Sequence, residues 1–466
     1  MKPISRREAL KRMAIVGAGV VATACGGPAP STTSGGATSA AAGTAGPAAA
    51  PPAAAKITLR WDTSDATDVP AMLKMAEQGA KLFAEKFPGV TIKPEPPPEN
   101  SAQQHLTEMI AGNAPDIIGQ CCDTLPFWAA KRQLLKLDDY VKKDFTAAQI
   151  KDYSPAQWAA FANPRVGRYA MPMYMGTIVL YYNKDAFDAK GVPYPDNTWE
   201  WNTSGTGTYE QMLKKLSDPA KRVWGARIGD NMDRLQQKIA GNGGHWVDPK
   251  DDKKAAFDQP AALDALQWVY DRVWKDQSLI KFEAMEKQGY EVLMANGRIA
   301  MYENGDWQLS PMVQTAKGKY KWDVAPIPKG PVARNTLATT DGWTIWKGTK
   351  GADEAWEFVK FLQTDEWNEL MIKIGLLRPA RLSLFDKWES LVKGAVPDLA
   401  DKNLKAFGEA SSYATTLELF QFHPDAVAII NATRDATIRT GSQKDVKAAF
   451  TDAAKKVNAA EAKGGA

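Results

Sequence analysis

Cysteine and histidine are scarce, three of each in 466 residues. His105, His245 and His423 stand far apart without ligand spacing, so the sequence argues for no metal site and no cofactor. There is no Gly-x-Ser-x-Gly elbow and no Walker loop, which removes two common signatures of enzymatic chemistry. Paired carboxylates are so numerous that none is singled out for acid–base work. A strong charge of one sign is also missing. The net charge of +4 is too mild, and too evenly spread, to argue for nucleic acid. Long apolar runs are absent as well. Met13 to Ala24 is the longest candidate, and it falls short of the roughly 20 apolar residues that a bilayer span needs.

What is present is aromatic. The chain holds 16 Trp and 13 Tyr. Trp often serves a core, but a flat apolar face with a polar handle also suits a sugar ring. The remaining composition, 44% hydrophobic and 24% charged, is that of a globular protein, and the length implies two domains. Residues 1–25 read as an export signal: Lys2, Arg6, Arg7, Lys11 and Arg12 precede a short apolar stretch. Ala22-Thr23-Ala24-Cys25 resembles a bacterial lipobox, which implies acylation of Cys25, although Ala22 stands where the pattern prefers Leu. Ser5-Arg6-Arg7-Glu8-Ala9-Leu10-Lys11 resembles a twin-arginine signal; an ordinary secretory signal is the alternative. Residues 26–55 are almost entirely Gly, Ala, Ser, Thr and Pro, the composition of a flexible linker.

From Lys56 onward the pattern alternates. Ile57 to Trp61 is an alternating strand, and Pro70 opens a helix with Leu73, Ala76, Ala80, Phe83 and Phe87 on one face. Val90 to Ile92 is a strand, Ala102 to Ala111 a helix stopped by Gly112, and Asp116 to Ile118 a third strand. Strand, helix, strand, helix, strand implies a parallel sheet, with ligands at the carboxyl ends of its strands. The stretch Met171 to Phe187 then links two such units. Pro172 to Gly176 is the expected hinge, and Ile178 to Asn183 the first strand of the second unit. A second crossing is expected at Thr340 to Trp346, and the rest of the chain reads as mainly helical.

Several landmarks in this order carry a resemblance: Leu82-Phe83-Ala84-Glu85-Lys86-Phe87-Pro88-Gly89-Val90, Ile110 to Ile117, Tyr181-Tyr182-Asn183-Lys184-Asp185, Gly297 to Trp307, Val324 to Gly330 and Ala355 to Leu362. Together they resemble the extracellular solute-binding proteins of ABC importers, in the sugar-binding family that includes maltose-binding proteins. The resemblance spans nearly all of 56–460. It implies an α/β fold of type II, with two lobes, parallel-rich sheets covered by helices on both faces, and a ligand cleft between them. By analogy one lobe is 56–174 plus 343–384, and the other 175–342 plus 385–466. It also implies a non-catalytic monomer, which the lipobox at Cys25 would anchor outside the bacterial cytoplasmic membrane. Such a protein captures a carbohydrate for a membrane permease and its ATPase.

Candidate ligand contacts follow. In the family, the position of Trp307 stacks on a sugar; a core Trp is the alternative. Asp123 follows the third strand, where a carboxylate accepts two hydroxyls, or else caps the next helix. Ser64 and Asp65 lie in the loop after the first strand. Tyr174 and Gly176 belong to the hinge; maltose-binding relatives carry a carboxylate at the place of Gly176, so its absence argues against maltodextrin. Trp246, beside His245, offers stacking or packing equally. Phe422 stands where relatives place another stacking Trp. Asp341, Trp343 and Arg378 lie near crossings; Arg378 could hold an anionic ligand group, with a structural ion pair the favoured alternative. Cys121 and Cys122 are adjacent in an expected ligand loop; they could close a strained disulfide or stay reduced and pack a turn. Two other functions compete. A secreted glycosidase would need two cleft carboxylates at the right separation. A receptor for a polyol phosphate would want Arg and Lys in the cleft, and one for a polyamine several carboxylates.

Overall fold

The computed structural model describes residues 57–64, 69–121, 123–163, 166–420 and 424–464. The expectations for the export signal, Cys25, the linker, Asp65, Cys122 and Phe422 lie outside the described residues.

The first sheet grows from the predicted β–α–β run. Strand β1 (Ile57–Asp62) leads into helix α1 (Val69–Lys86), β2 (Val90–Glu95), α2 (Ser101–Ala111), β3 (Ile117–Cys121) and the short helix α3 (Leu125–Ala130). Gly112 stops α2 because it sits in the left-handed region, φ 83°, where its N–H can close the helix end. Strand β1 pairs in parallel with both β2 and β3. Leu59, Trp61 and Ile117 face one buried layer with Phe83 of α1, and Ile118 faces a second with Leu106 of α2. A strand buried on both faces needs apolar side chains at consecutive positions, which is why Ile117-Ile118 is unbroken.

Two segments then cross to a second sheet. The first comprises β4 (Met171–Pro172), β5 (Gly176–Thr177) and β6 (Val179–Asn183). The second sheet is completed by β7 (Trp224–Arg227), which leads through a loop to helix α4 (Met232–Gly241), and by β8 (Ile299–Asn304) and β9 (Trp322–Ala325), in the order β9-β6-β8-β7. Along β6 the side chains alternate between layers. Leu180 and Tyr182 enter one core with Trp246 and Phe450, while Val179 and Tyr181 enter another with Tyr302 and Phe407. This is the period of two expected of a strand with helices on both faces.

The return crossing runs through β10 (Thr336–Thr339) and β11 (Asp341–Ile345). It lies antiparallel beside the outgoing one: Gly176 pairs with Thr339, Pro172 with Gly342 and Met171 with Trp343. Strand β11 closes the first sheet against β3, in the order β2-β1-β3-β11-β4. The small strand β12 (Ala414–Thr415) adds to β10, and helices α5 (Pro424–Arg434) and α6 (Val446–Gly464) follow. The architecture is that of a type II, two-lobed binding protein. Among the described residues no helix is long and apolar enough to cross a membrane.

Candidate functional site

A cavity of about 480 Å³ lies between segments of the first sheet and segments of the second. One wall is the α2 N-terminus (Ala102, Gln103) and the loop after β3 with the start of α3 (Asp123, Thr124, Pro126, Phe127). The other is the loop after β7 with the start of α4 (Asn231, Met232, Asp233), the strap Leu417 to Phe420, and Val427 and Asn431 of α5. Two of these segments follow the carboxyl ends of strands, where helices diverge and leave a crevice.

Asp123 sits where the sequence placed it. It is open to water in the cavity, yet protein atoms crowd it. That crowding pushes its pKa up, and the charge of Asp233 adds to the rise, against hydrogen bonds from Thr124 and Cys121. Asp233 itself pairs with Arg234 at 2.9 Å. The guanidinium of Arg234 lies 5.4 Å from the centre of the Trp307 ring, a cation–π contact. Half-buried Trp307 is thus linked to the cavity wall through Arg234 and Asp233, although it does not itself line the cavity.

The structure gathers Tyr174, Gly176 and Trp307 at the crossing. The Tyr174 and Trp307 rings meet edge to face at 6.1 Å. A Cβ on Gly176 would collide with Cζ3 of Trp307 and approach Asp306 Oδ1 at 3.1 Å, so the missing carboxylate has a steric reason. Ser64 and Asp341 also meet: Ser64 Oγ donates to Asp341 Oδ2 at 3.2 Å, and both residues are buried. Ser64 holds a φ of 68°, and its N–H donates to Asp62 Oδ1 at 2.9 Å. A non-glycine residue in that region is held by its surroundings, as loops at functional sites often are. Beneath it, His105 bridges Asp62 (2.7 Å) and Glu108 (2.9 Å). Burial lowers the His105 pKa, but the two carboxylates outweigh it and hold the imidazole above its ordinary value.

Three candidate contacts turn out to be structural. Trp246 is fully buried against Phe257 and Phe450, and its Nε1 donates to the Met232 carbonyl at 2.9 Å. It supports the cavity wall from behind and has no face free for a ring. Trp343 is fully buried among Trp61 and Trp367, because β11 turns it into the first core. Arg378 is a latch and not an anion contact. Only 2% exposed, it donates from Nε to Met175 O at 3.1 Å, from Nη2 to Ser411 Oγ at 3.0 Å, and from Nη1 to Phe407 O. Its own N–H donates to Asp306 Oδ2 at 2.8 Å. Burial pushes the Asp306 pKa up to about 6, against the pull of Arg378 and nearby backbone N–H groups.

The second wall escaped the sequence reading. Asn231 and Asp233 were findable, because they follow β7 as Asp123 follows β3. The strap had no local signal. It is fixed by Glu418, whose carboxylate accepts from His245 Nδ1 (2.7 Å), Trp246 N (2.7 Å) and Val247 N (3.1 Å). Gln236 of α4 completes the clamp, accepting from Glu418 N at 2.8 Å and donating to Thr416 O at 2.8 Å.

Comparison with known proteins agrees with this architecture. The chain is similar to a binding protein of Brucella abortus (strain 2308), 23% identical over 302 residues, spanning 62% of this chain and 69% of the relative. Its fold is similar to that of an ABC substrate-binding protein of Listeria monocytogenes, solved in complex with cycloalternan. There the TM-score is 0.75 and the identity 21%, over 87% of this chain and 98% of the other. It is also similar to UgpB of Mycobacterium tuberculosis, solved with glycerophosphocholine, with TM-score 0.71 and identity 17% over 88% and 99% of the two chains. The family model for the bacterial extracellular solute-binding proteins matches residues 63–369, and with two sheets, paired crossings and a cavity between them, the chain belongs to that family.

Proposed function

We propose that this protein is a lipid-anchored receptor on the outer face of a bacterial cytoplasmic membrane, which captures a carbohydrate and delivers it to an ABC import permease. The observation that carries the carbohydrate is the lining of the cavity. Asp123, Asp233, Asn231, Asn431, Gln103 and Thr124 offer acceptors and donors, Phe127 and the nearly buried Phe420 offer apolar surface, and among the described residues no lysine or arginine lines it. Hydroxyls want carboxylate and amide partners, and pyranose faces want aromatic ones. A phosphate would want cations. The sugar bound by the Listeria protein supports the same class.

The lobes are 56–174 plus 343–384 and 175–342 plus 385–466. Separate cores support this division, Leu59 and Phe358 in one and Leu180 and Val457 in another. A ligand touching both walls of the cavity favours the closed arrangement by the contacts it makes only there. Acylation of Cys25 supplies the anchor, twin-arginine export the route, and the 26–55 linker the reach. The receptor is a monomer and has no catalytic role.

A thermal-shift screen against neutral sugars, amino sugars, sn-glycerol 3-phosphate and glycerophosphocholine tests the ligand class. Ligand at a hundredfold excess over its Kd adds about 2.7 kcal/mol to stability, a readable rise in melting temperature. Shifts from saccharides alone are expected. A shift from the phosphates alone overturns the carbohydrate assignment, and turnover of any glycoside overturns the non-catalytic one.

A further inference from the structure

Among the described residues, Asp123 and Asp233 are the two charged side chains in the cavity lining, and they come from opposite walls. Their charges are not balanced. Arg234 neutralises Asp233 at 2.9 Å. Asp123 accepts a hydrogen bond from Thr124 Oγ1 at 3.1 Å, and among the described residues no lysine or arginine pairs with it. One carboxylate charge is therefore left in a crowded cavity beside a second carboxylate. Both burial and the Asp233 charge disfavour ionisation of Asp123. Closing the cleft around a neutral ligand would bury that charge further without a counter-charge, which is costly. A ligand that brings its own cation removes the cost and gains charge-assisted hydrogen bonds, since an ammonium offers three donors to a carboxylate.

We propose that the cavity selects a saccharide carrying a protonated amine, with the ammonium held by Asp123 and the ring between the aromatic and amide side chains of the two walls. The preference rests on the carbohydrate reading and narrows it. A linear polyamine satisfies the charge but leaves the faces of Phe127 and Phe420 and the amides of Asn231 and Asn431 without matching groups. An anionic sugar meets carboxylates and, among the described residues, no lining cation.

Matched pairs that differ only in the amine test the idea by calorimetry near neutral pH: glucosamine against glucose, galactosamine against galactose, and the chitosan disaccharide against cellobiose. The amine-bearing member of the best-bound pair should bind roughly tenfold more tightly at low ionic strength, the gap expected between charge-assisted and neutral hydrogen bonds. Added salt should narrow the gap. Asp123→Asn should bring the ratio close to one, with the melting temperature of the ligand-free protein showing that the fold survives. Neutral members binding as tightly as their partners would sink the proposal and leave the carbohydrate reading standing. A ratio that persists in Asp123→Asn would overturn the role of Asp123. Binding of spermidine with no response to any saccharide would overturn both readings together.

Discussion

The two walls of the cavity are built in different ways. The first is local: β3 ends, the chain turns, and Asp123 to Phe127 stand over a core that β3 and α3 supply themselves. The second is assembled from afar. Asn231 to Asp233 follow β7, but Leu417 to Phe420 reach them from nearly two hundred residues later, held by the side chains of Glu418 and Gln236. A wall made by strand ends inherits the rigidity of a sheet. The strap depends on a few side-chain hydrogen bonds and on Phe420, buried in the second core, and segments with fewer such ties are where binding proteins rearrange.

The largest test of this contrast lies behind the second wall. Trp246→Ala should cost about 3–5 kcal/mol, as large-to-small changes in a packed core do, and lower the melting temperature in a calorimetric scan. Trp307→Ala, at the half-buried crossing, should lower the melting temperature less and weaken saccharide binding through the lost contact to Arg234. If the two variants exchange behaviours, the assignment of Trp246 to support and Trp307 to the ligand side is wrong.

The junction between the walls should respond to pH. Asp306 has a folded pKa near 6 against 3.8 for an ordinary carboxylate. A raised pKa means that the native state binds the proton more tightly than the unfolded chain. The associated stability is therefore present below about pH 4 and is lost as pH rises through about 6. Measured by denaturant unfolding across that window, the wild type should lose of order 2–3 kcal/mol relative to Asp306→Asn. Parallel curves for the two proteins would show that Asp306 does not titrate there.

The smallest effect belongs to the strap. Glu418→Gln keeps the length but removes the charge that accepts from His245 and the two backbone N–H groups. A loss of about 1–2 kcal/mol is expected. It should appear as faster amide exchange around residues 414–420, with the exchange of β3 unaffected. Equal acceleration on both walls would erase the distinction between them.

Much of the first wall was legible because its information is local. The β–α–β run, the stop at Gly112 and the placing of Asp123 after a strand depend on neighbours within a few residues. The same local cues left Trp246 and Arg378 open between ligand and support, and offered Trp343 as a contact. A glycine turn before Trp246, or a strand around Trp343, says that an aromatic is present and leaves open whether it faces a cleft or a core. Burial decided that: α6 brings Phe450 over Trp246, and α1 with the segment around Trp367 closes over Trp343.

The sequence by itself determined the alternation of strands and helices, the glycine at the crossing and the place of one acidic side chain after a strand. Each follows from spacing and residue type. Only the tertiary structure decided that Gly176 is held to glycine by Trp307, that Arg378 is a latch, and that Glu418 holds a wall of the cavity. These depend on side chains that meet across hundreds of residues, and no local pattern encodes which distant partner a buried polar or aromatic group will find.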